Sequence, residues 1–264
     1  MISYIRQNFT PQFSLIVIPY FIFTFTCLYF SDVKWTYVIF FMTILGLLGN
    51  GVVGHRLIAH RQFTPAKWTI PILYLLCTLA AFAPVWYWRA QHWHHHKHSD
   101  QDIDVHSPHS QTFFDSFFGW ALKQKFVKVV LTTEKRSLRE SLSDKNMQFF
   151  YNYNYYLIYL FLLILASISI ELLLAYFIFY WLEILRLGLI TSLAHINIPF
   201  SYRNFETKDK SYNNLVIGYL TFGFGWHNNH HANPMLLDTQ IKWWEFDLEA
   251  KLAKIINCIP GVKK

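Results

Sequence analysis

Five apolar stretches, separated by polar links, divide the chain and predict its helices. Four of them contain no charged side chain: residues 13–30, 35–54, 68–88 and 151–170. The fifth, residues 172–194, is apolar except for Glu183 and Arg186. A helix crosses the bilayer core with about 20 residues, so each stretch is long enough to form a helix of membrane length.

Short links join the outer stretches in pairs. Residues 31–35, SDVKW, connect the first two stretches, and residues 167–171 connect the last two. Links this short make neighbouring helices antiparallel. The pattern predicts an all-α membrane protein with four transmembrane helices in two hairpins. Because charges at membrane depth are costly, we expect Glu183 and Arg186 to pair and to face the bundle interior.

The middle stretch, residues 68–88, is predicted to lie along the membrane interface. If it crossed, the histidines before it and those after it would lie on opposite sides, and a cluster that makes sense only when assembled would be split. Pro71 and Pro84 should break this helix. A true span is the alternative interpretation.

The basic side chains predict the orientation. Arginines and lysines concentrate on the histidine side of the predicted spans, above all in residues 123–145, whereas the opposite side shows only Lys34. By the positive-inside rule, the histidines and both termini should face the cytosol. The chain is predicted to be one membrane domain, residues 1–264, with a cytosolic cap formed by residues 89–150 and 195–264.

Composition narrows the function classes. The formal net charge is +7, but the 23 basic residues are spread through loops without a dense run of stacking aromatics, which argues against nucleic-acid binding. A basic balance suits a membrane surface. The three cysteines lie far apart, so neither a disulfide framework nor a CxxC site is indicated.

Nine of the 13 histidines fall into a pattern. One group is HxxxxH in GHRLIAHR, two are HxxHH in QHWHHHKHSD and WHNNHH, and a single histidine follows the last apolar stretch. These residues are His55, His60, His92, His95, His96, His195, His227, His230 and His231. The other four, His94, His98, His106 and His109, are interpreted as polar loop residues or hydrogen-bond partners of the nine.

Helical spacing gives the pattern its chemistry. Each HxxHH aims three imidazoles at one point, because positions i, i+3 and i+4 share a helix face. His55 and His60 are about 140° apart on a straight α-helix, so they should bracket the site from its flank or from a helix end. Nine imidazoles exceed the needs of one ion, and two ions with open positions fit the count. Imidazole suits iron, copper, nickel and zinc, so ligand type alone does not name the metal.

The ordered histidine groups between apolar hairpins resemble those of the membrane fatty-acyl desaturases, and most closely the delta-9 group. The stretches that carry the likeness are GHRLIAHR, HWHHHKHSDQDIDVH, YRNFETKDKSYNN, TFGFGWHNNHHANP and WWEFDL, which together cover residues 55–248. The resemblance implies four transmembrane helices under a cytosolic cap. It also implies two iron ions bound by the nine histidines, and removal of two hydrogens from neighbouring methylenes with dioxygen and two electrons.

Two positions depart from the family pattern. Thr191 stands where the family commonly has an asparagine that is thought to hold a metal-bound water, and Phe224 replaces the glutamate of the usual GEGWH. Because Thr191 lies four residues before His195, it would share a helix face with it. We therefore expect Thr191 to keep the water-holding role.

The sequence thus predicts a fatty acyl desaturase that forms a cis double bond at or near carbon 9. A di-iron hydroxylase or ketolase, and a non-catalytic metal-binding membrane protein, stay open as alternatives. The acyl carrier is also open among coenzyme A, carrier protein and glycerolipid. An external electron donor such as ferredoxin or a cytochrome b5-like protein is expected, since no fused redox domain is evident. The substrate tunnel is expected to pass Thr43, Gly46 and Trp226.

Overall fold

The computed structural model describes residues 34–80, 84–119 and 124–262. The first predicted span, residues 13–30, lies outside the described residues. The described part is mostly helical, which confirms the helical class. One departure from an all-α fold is a two-stranded antiparallel ladder that pairs Ser201 with Asn214 and Tyr202 with Asn213.

The described helices are numbered in chain order. They are α1 Trp35–Ala59, α2 Ile70–Ala80, α3 Val85–His98, α4 Gln124–Thr133, α5 Lys135–Leu142, α6 Lys145–Ile168, α7 Ile170–Thr191, α8 Leu215–Leu220, α9 His227–Ala232 and α10 Leu248–Asn257. Shorter helical turns lie at Lys67–Thr69, Asp115–Gly119 and Leu193–His195. The strands are β1 Ser201–Tyr202 and β2 Asn213–Asn214.

Three of these helices are long and apolar enough to cross a membrane: α1, α6, and α7 with the turn that follows it. A fourth candidate is the bent pair Lys67–Ala80 and Val85–His98, whose axes meet at 73°. Pro84 is the cap residue of α3 and does separate the two helices. Pro71 does not break a helix as predicted, because it lies in the first turn of α2, where proline is tolerated.

The turn predicted at residues 167–171 is confirmed. Helix α6 ends at Ile168, and Ser169 is extended, with φ −165° and ψ 137°. The Ser169 hydroxyl accepts hydrogen bonds from the N–H groups of Glu171 and Leu172, which caps α7. In the most apolar segment of α6, 17% of the residues are buried, compared with 72% in that of α7. Helix α6 therefore packs against the rest of the protein along one side. The remaining apolar surface of α6 is that of a lipid-facing helix.

Helices α1 and α7 run side by side in the same direction. Lys34 pairs with Glu171 at their starts, at 3.5 Å. Further along, the Phe41 ring meets Tyr176 edge-on, and Asn50 donates to the Glu183 carboxylate at 2.6 Å. The two helices therefore end at the same side of the bundle, which places His55 and His195 at one end.

Glu183 and Arg186 form the buried pair that was predicted. The Arg186 guanidinium donates to both Glu183 carboxylate oxygens, at 2.7 and 2.8 Å, and both side chains are almost completely buried. Arg186 also lies 3.4 Å from Glu249 of α10, which in turn lies 3.4 Å from Arg56 of α1. This chain of charges ties α1, α7 and α10 together below the histidines.

Replacing Arg186 with methionine should destabilise the protein strongly. The change leaves the buried Glu183 without its cation, and breaking a buried pair typically costs about 3–5 kcal/mol. We expect a clearly lower unfolding temperature in detergent, or loss of folded protein. The matched control is Arg136→Met, because the Arg136–Glu140 pair is exposed and should contribute little. Equal unfolding temperatures for the two variants would contradict this role of the buried pair.

Candidate metal centre

The structure brings all nine patterned histidines together at one end of the bundle. Two groups of four each have one ligand atom per residue, all within 4.8 Å of one another. The first quartet is His55, His60, His92 and His230, and the second quartet is His95, His195, His227 and His231. His96 lies between them, with its Nε2 2.9 Å from His230 Nε2 and its ring 4.4 Å from that of His231.

His55 and His60 belong to the same quartet and lie at the end of α1. Their ring centroids are 4.9 Å apart. Over Met42–Ala59, α1 is a π-helix, and the His60 N–H donates to the carbonyl of His55 at its end. Bonds from i to i+5 place residues five apart roughly one above the other. In the wider π-helix, His55 and His60 therefore lie on the same face, which the same spacing would not allow in a straight α-helix.

The imidazoles meet tip to tip through their Nε2 atoms. These atoms are 2.7 Å apart in His60 and His92, 3.1 Å in His55 and His230, and 3.0 Å in His195 and His227. Where both rings of a pair carry their hydrogen on Nδ1, two lone pairs face each other and repel, and a shared cation removes the repulsion. The geometry therefore favours a positive ion inside each quartet.

Three carboxylates fix the ring orientations in the second quartet. Their Nδ1 contacts are His95 to Asp104 at 3.0 Å, His195 to Asp100 at 2.9 Å, and His231 to Asp209 at 3.0 Å. A carboxylate only accepts, so each Nδ1 carries the hydrogen and each Nε2 keeps its lone pair. Within the described residues, the buried Nε2 atoms of His95 and His231 have no hydrogen-bond partner. They are the atoms that His95 and His231 would offer to an ion in the second quartet.

Interactions with the histidines lower the pKa values of two of these carboxylates. Burial would raise the pKa of Asp104, but the electrostatic attraction and the hydrogen bond of the His95 ring lower it to about 2. Burial opposes ionisation of Asp209 too, and its hydrogen bond from His231 holds the pKa well below the usual range. Both carboxylates are therefore charged at neutral pH and act as fixed acceptors.

Among the described residues, no carboxylate lies within hydrogen-bond distance of the first quartet. Glu249 Oε2 lies 3.9 Å from His55 Nδ1, beyond hydrogen-bond distance, and Gly51 leaves the room that this carboxylate occupies. Burial raises the pKa of Glu249 to about 7, although Arg56 and Arg186 oppose the shift. Phe224 stacks on the His55 ring at 3.9 Å. The two quartets thus sit in different surroundings.

An asparagine network positions α9, which carries three of the nine histidines. Asn213 of β2 accepts from the Asn229 backbone N–H at 3.1 Å, and the Asn229 side chain donates to Glu245 at 3.0 Å. Asn228 accepts from two consecutive backbone N–H groups of the segment after β1. The two non-histidine residues of HNNHH therefore fasten the helix while its histidines point inward.

The other predicted site residues lie in different surroundings. The Thr191 hydroxyl donates to the Leu187 carbonyl at 3.0 Å, so toward a metal-bound water it would be an acceptor. Thr43 is exposed, Gly46 lies against the Glu183 carboxylate, and Trp226 is buried against Gly218. The water-holding role of Thr191 and the tunnel roles of the other three stay predictions.

Sequence reasoning missed the three aspartates and misplaced some of the remaining histidines. Asp104 follows His95 by nine positions, and its only sequence signal is a short acidic run after the second histidine group. His109 is interpreted from the sequence as a hydrogen-bond partner of the nine histidines, and its Nε2 does lie 2.8 Å from the His195 carbonyl oxygen. His94 is fully buried on a helix and is not a loop residue.

Comparison with known proteins agrees with this site. The sequence profile of the family described as fatty acid desaturase matches residues 33–254. The chain is 30% identical over 223 residues to the sn-1 stearoyl-lipid 9-desaturase of Anabaena variabilis, covering 83% of this chain and 80% of that protein. It is 28% identical to the Delta-9 acyl-lipid desaturase 2 of Arabidopsis thaliana, covering 84% and 72%. To the icosanoyl-CoA 5-desaturase of Limnanthes douglasii it is 29% identical, covering 88% and 65%.

The family match spans most of the chain and includes all nine patterned histidines. Helices of membrane length and two buried histidine quartets agree with that match. The chain belongs to the fatty acid desaturase family and is an oxidoreductase that desaturates fatty acids.

Proposed function

We propose that the chain introduces a cis double bond at carbon 9 of a saturated acyl chain, with two iron ions held by the nine histidines. The observation that carries this proposal is the pair of quartets, with His96 between them. Two relatives named as 9-desaturases of lipids support the position and a lipid-linked substrate. A relative named for an acyl-CoA substrate makes coenzyme A the other candidate carrier.

The residues present fit a metal of this kind. Imidazole nitrogen is a suitable ligand for iron. Because the imidazoles are neutral, they can be buried together before a metal ion binds. The Nε2 atoms of His95 and His231 have no hydrogen-bond partner among the described residues, so their lone pairs are available to a metal ion. When bound, the iron ions would activate dioxygen for the oxidation of an unactivated C–H bond, a chemistry that no side chain provides.

The chain's own residues would prepare the site for that chemistry. Asp100, Asp104 and Asp209 hold the Nδ1 hydrogens and so keep the Nε2 lone pairs directed inward. Phe224 against His55, and Trp88 at 5.7 Å from His92, place apolar walls beside the first quartet. Such walls exclude water from a reaction centre that would otherwise be quenched by it.

The proposed cellular setting follows from the basic side chains. We propose that the chain is a multi-pass membrane protein whose histidine end and termini face the cytosol, with residues 89–150 and 195–264 forming the cap. Electrons would come from an external donor such as ferredoxin or a cytochrome b5-like protein. An acidic donor would be steered to the basic cytosolic surface, and its encounter rate would fall with rising salt.

Product analysis in a host without desaturases tests the reaction. We expect a new monounsaturated fatty acid with its double bond at carbon 9, which gas chromatography with mass spectrometry identifies. His230→Ala should abolish the product because it removes a member of the first quartet. A hydroxylated fatty acid would contradict the desaturase assignment, and an active His230→Ala variant would contradict the role of the quartet.

Removing a carboxylate partner should weaken metal binding. Asp209→Asn deprives His231 of an ionised acceptor, and such changes typically cost about 10–100-fold in metal affinity. The iron content per chain, measured after dialysis against a chelator, should therefore fall below that of the wild type. The control is Asp102→Asn, an exposed aspartate of the segment after α3. Equal iron retention by both variants would overturn the orienting role of Asp209.

A further inference from the structure

Three donor side chains outside the nine histidines also converge. His94, His98 and Glu134 each offer one ligand atom, and these atoms lie within 4.8 Å of one another. His94 and His98 are one turn apart on α3, while Glu134 is the cap residue at the start of α5. On an α-helix His94 is roughly 200° from His92, so this group faces away from the quartets.

The orientation of His94 leaves one nitrogen available as a ligand. Its Nε2 lies 2.8 Å from the carbonyl oxygen of Ile103, so this nitrogen carries the hydrogen. The lone pair is then on Nδ1, which lies 3.0 Å from the Thr133 hydroxyl and 3.7 Å from Glu134 Oε1. A backbone acceptor that fixes the tautomer of a buried histidine is the usual support of a metal-binding imidazole.

Glu134 provides a buried carboxylate oxygen that is available as a metal ligand. The residue is 8% exposed, and its Oε1 accepts no hydrogen bond from the described residues. Two side-chain nitrogens lie near this oxygen, His94 Nδ1 and Lys97 Nζ, each at 3.7 Å. Ligands at 2.0–2.1 Å from a tetrahedral ion are about 3.3 Å apart, so His94 and Glu134 need to close by only a few tenths of an ångström.

We propose that His94, His98 and Glu134 form a third metal site, separate from the quartets, that binds a divalent ion of the zinc type. Two imidazoles and one carboxylate are a ligand set that zinc takes, with the fourth position open to water. The ion would join α3 to the junction of α4 and α5. Since α3 carries His92, His95 and His96, the site would brace the helix that supplies a third of the patterned histidines.

The competing use of Glu134 is a simple ion pair. Lys97 is largely exposed and reaches the same carboxylate oxygen at 3.7 Å. If Glu134 serves only to pair with Lys97, removing Lys97 should weaken the contact of α3 with the junction of α4 and α5, and zinc should not change the unfolding temperature. If the metal site is real, Lys97→Gln removes a competing cation and should keep or strengthen zinc binding.

Zinc binding to the full-length, iron-loaded protein in detergent tests the proposal. The protein is dialysed against low zinc, and zinc and iron per chain are measured by mass spectrometry, with zinc counted in excess of any iron released. We expect one such zinc in the wild type and in Lys97→Gln, and none in His98→Ala or Glu134→Gln. Zinc should also raise the unfolding temperature of the wild type but not of His98→Ala.

Two results would overturn the third site. One is a wild type that binds no excess zinc, and the other is equal excess zinc in the wild type and His98→Ala. His98 is only partly buried, so its alanine variant is expected to fold even if Glu134→Gln does not. The outcome is independent of product analysis, because the measured quantity is a metal count.

Discussion

The close packing of nine imidazoles at one end of the bundle is the constraint on which the rest of the structure depends. Their Nε2 atoms approach to about 3 Å in pairs drawn from different elements, such as His60 with His92 and His195 with His227. Folding must bring these imidazoles together from distant parts of the chain, most of them into buried surroundings. The buried ion chain through Arg186 and the asparagine network around α9 are the interactions that hold the elements in place.

The two quartets are held differently, and this difference has a chemical meaning. Three members of the second quartet donate to ionised aspartates, which raise the basicity of the opposite nitrogen. Beside the first quartet, the nearest carboxylate among the described residues is Glu249, 3.9 Å from His55, and its pKa is raised to about 7 by burial. An ion in the second quartet would therefore be bound by stronger donors than one in the first.

Much of this arrangement was predictable from sequence, because histidines repeated at helical spacing place several metal-binding side chains on one helix face. The convergence of the nine, the buried Glu183–Arg186 pair and the turn at Ser169 all follow from local patterns. The π-helical end of α1 was not predictable, since no residue type specifies it and a straight α-helix separates His55 from His60. The roles of Asp104 and Asp209 depend on tertiary contacts with histidines many positions away, so spacing alone could not reveal them.

The central claim is that each quartet holds one iron ion. Crystals of natively produced protein, measured on both sides of the iron absorption edge, locate such ions directly. We expect two iron peaks, one among His55, His60, His92 and His230 and one among His95, His195, His227 and His231. A single peak, or iron bound away from these eight side chains in an active preparation, would contradict it.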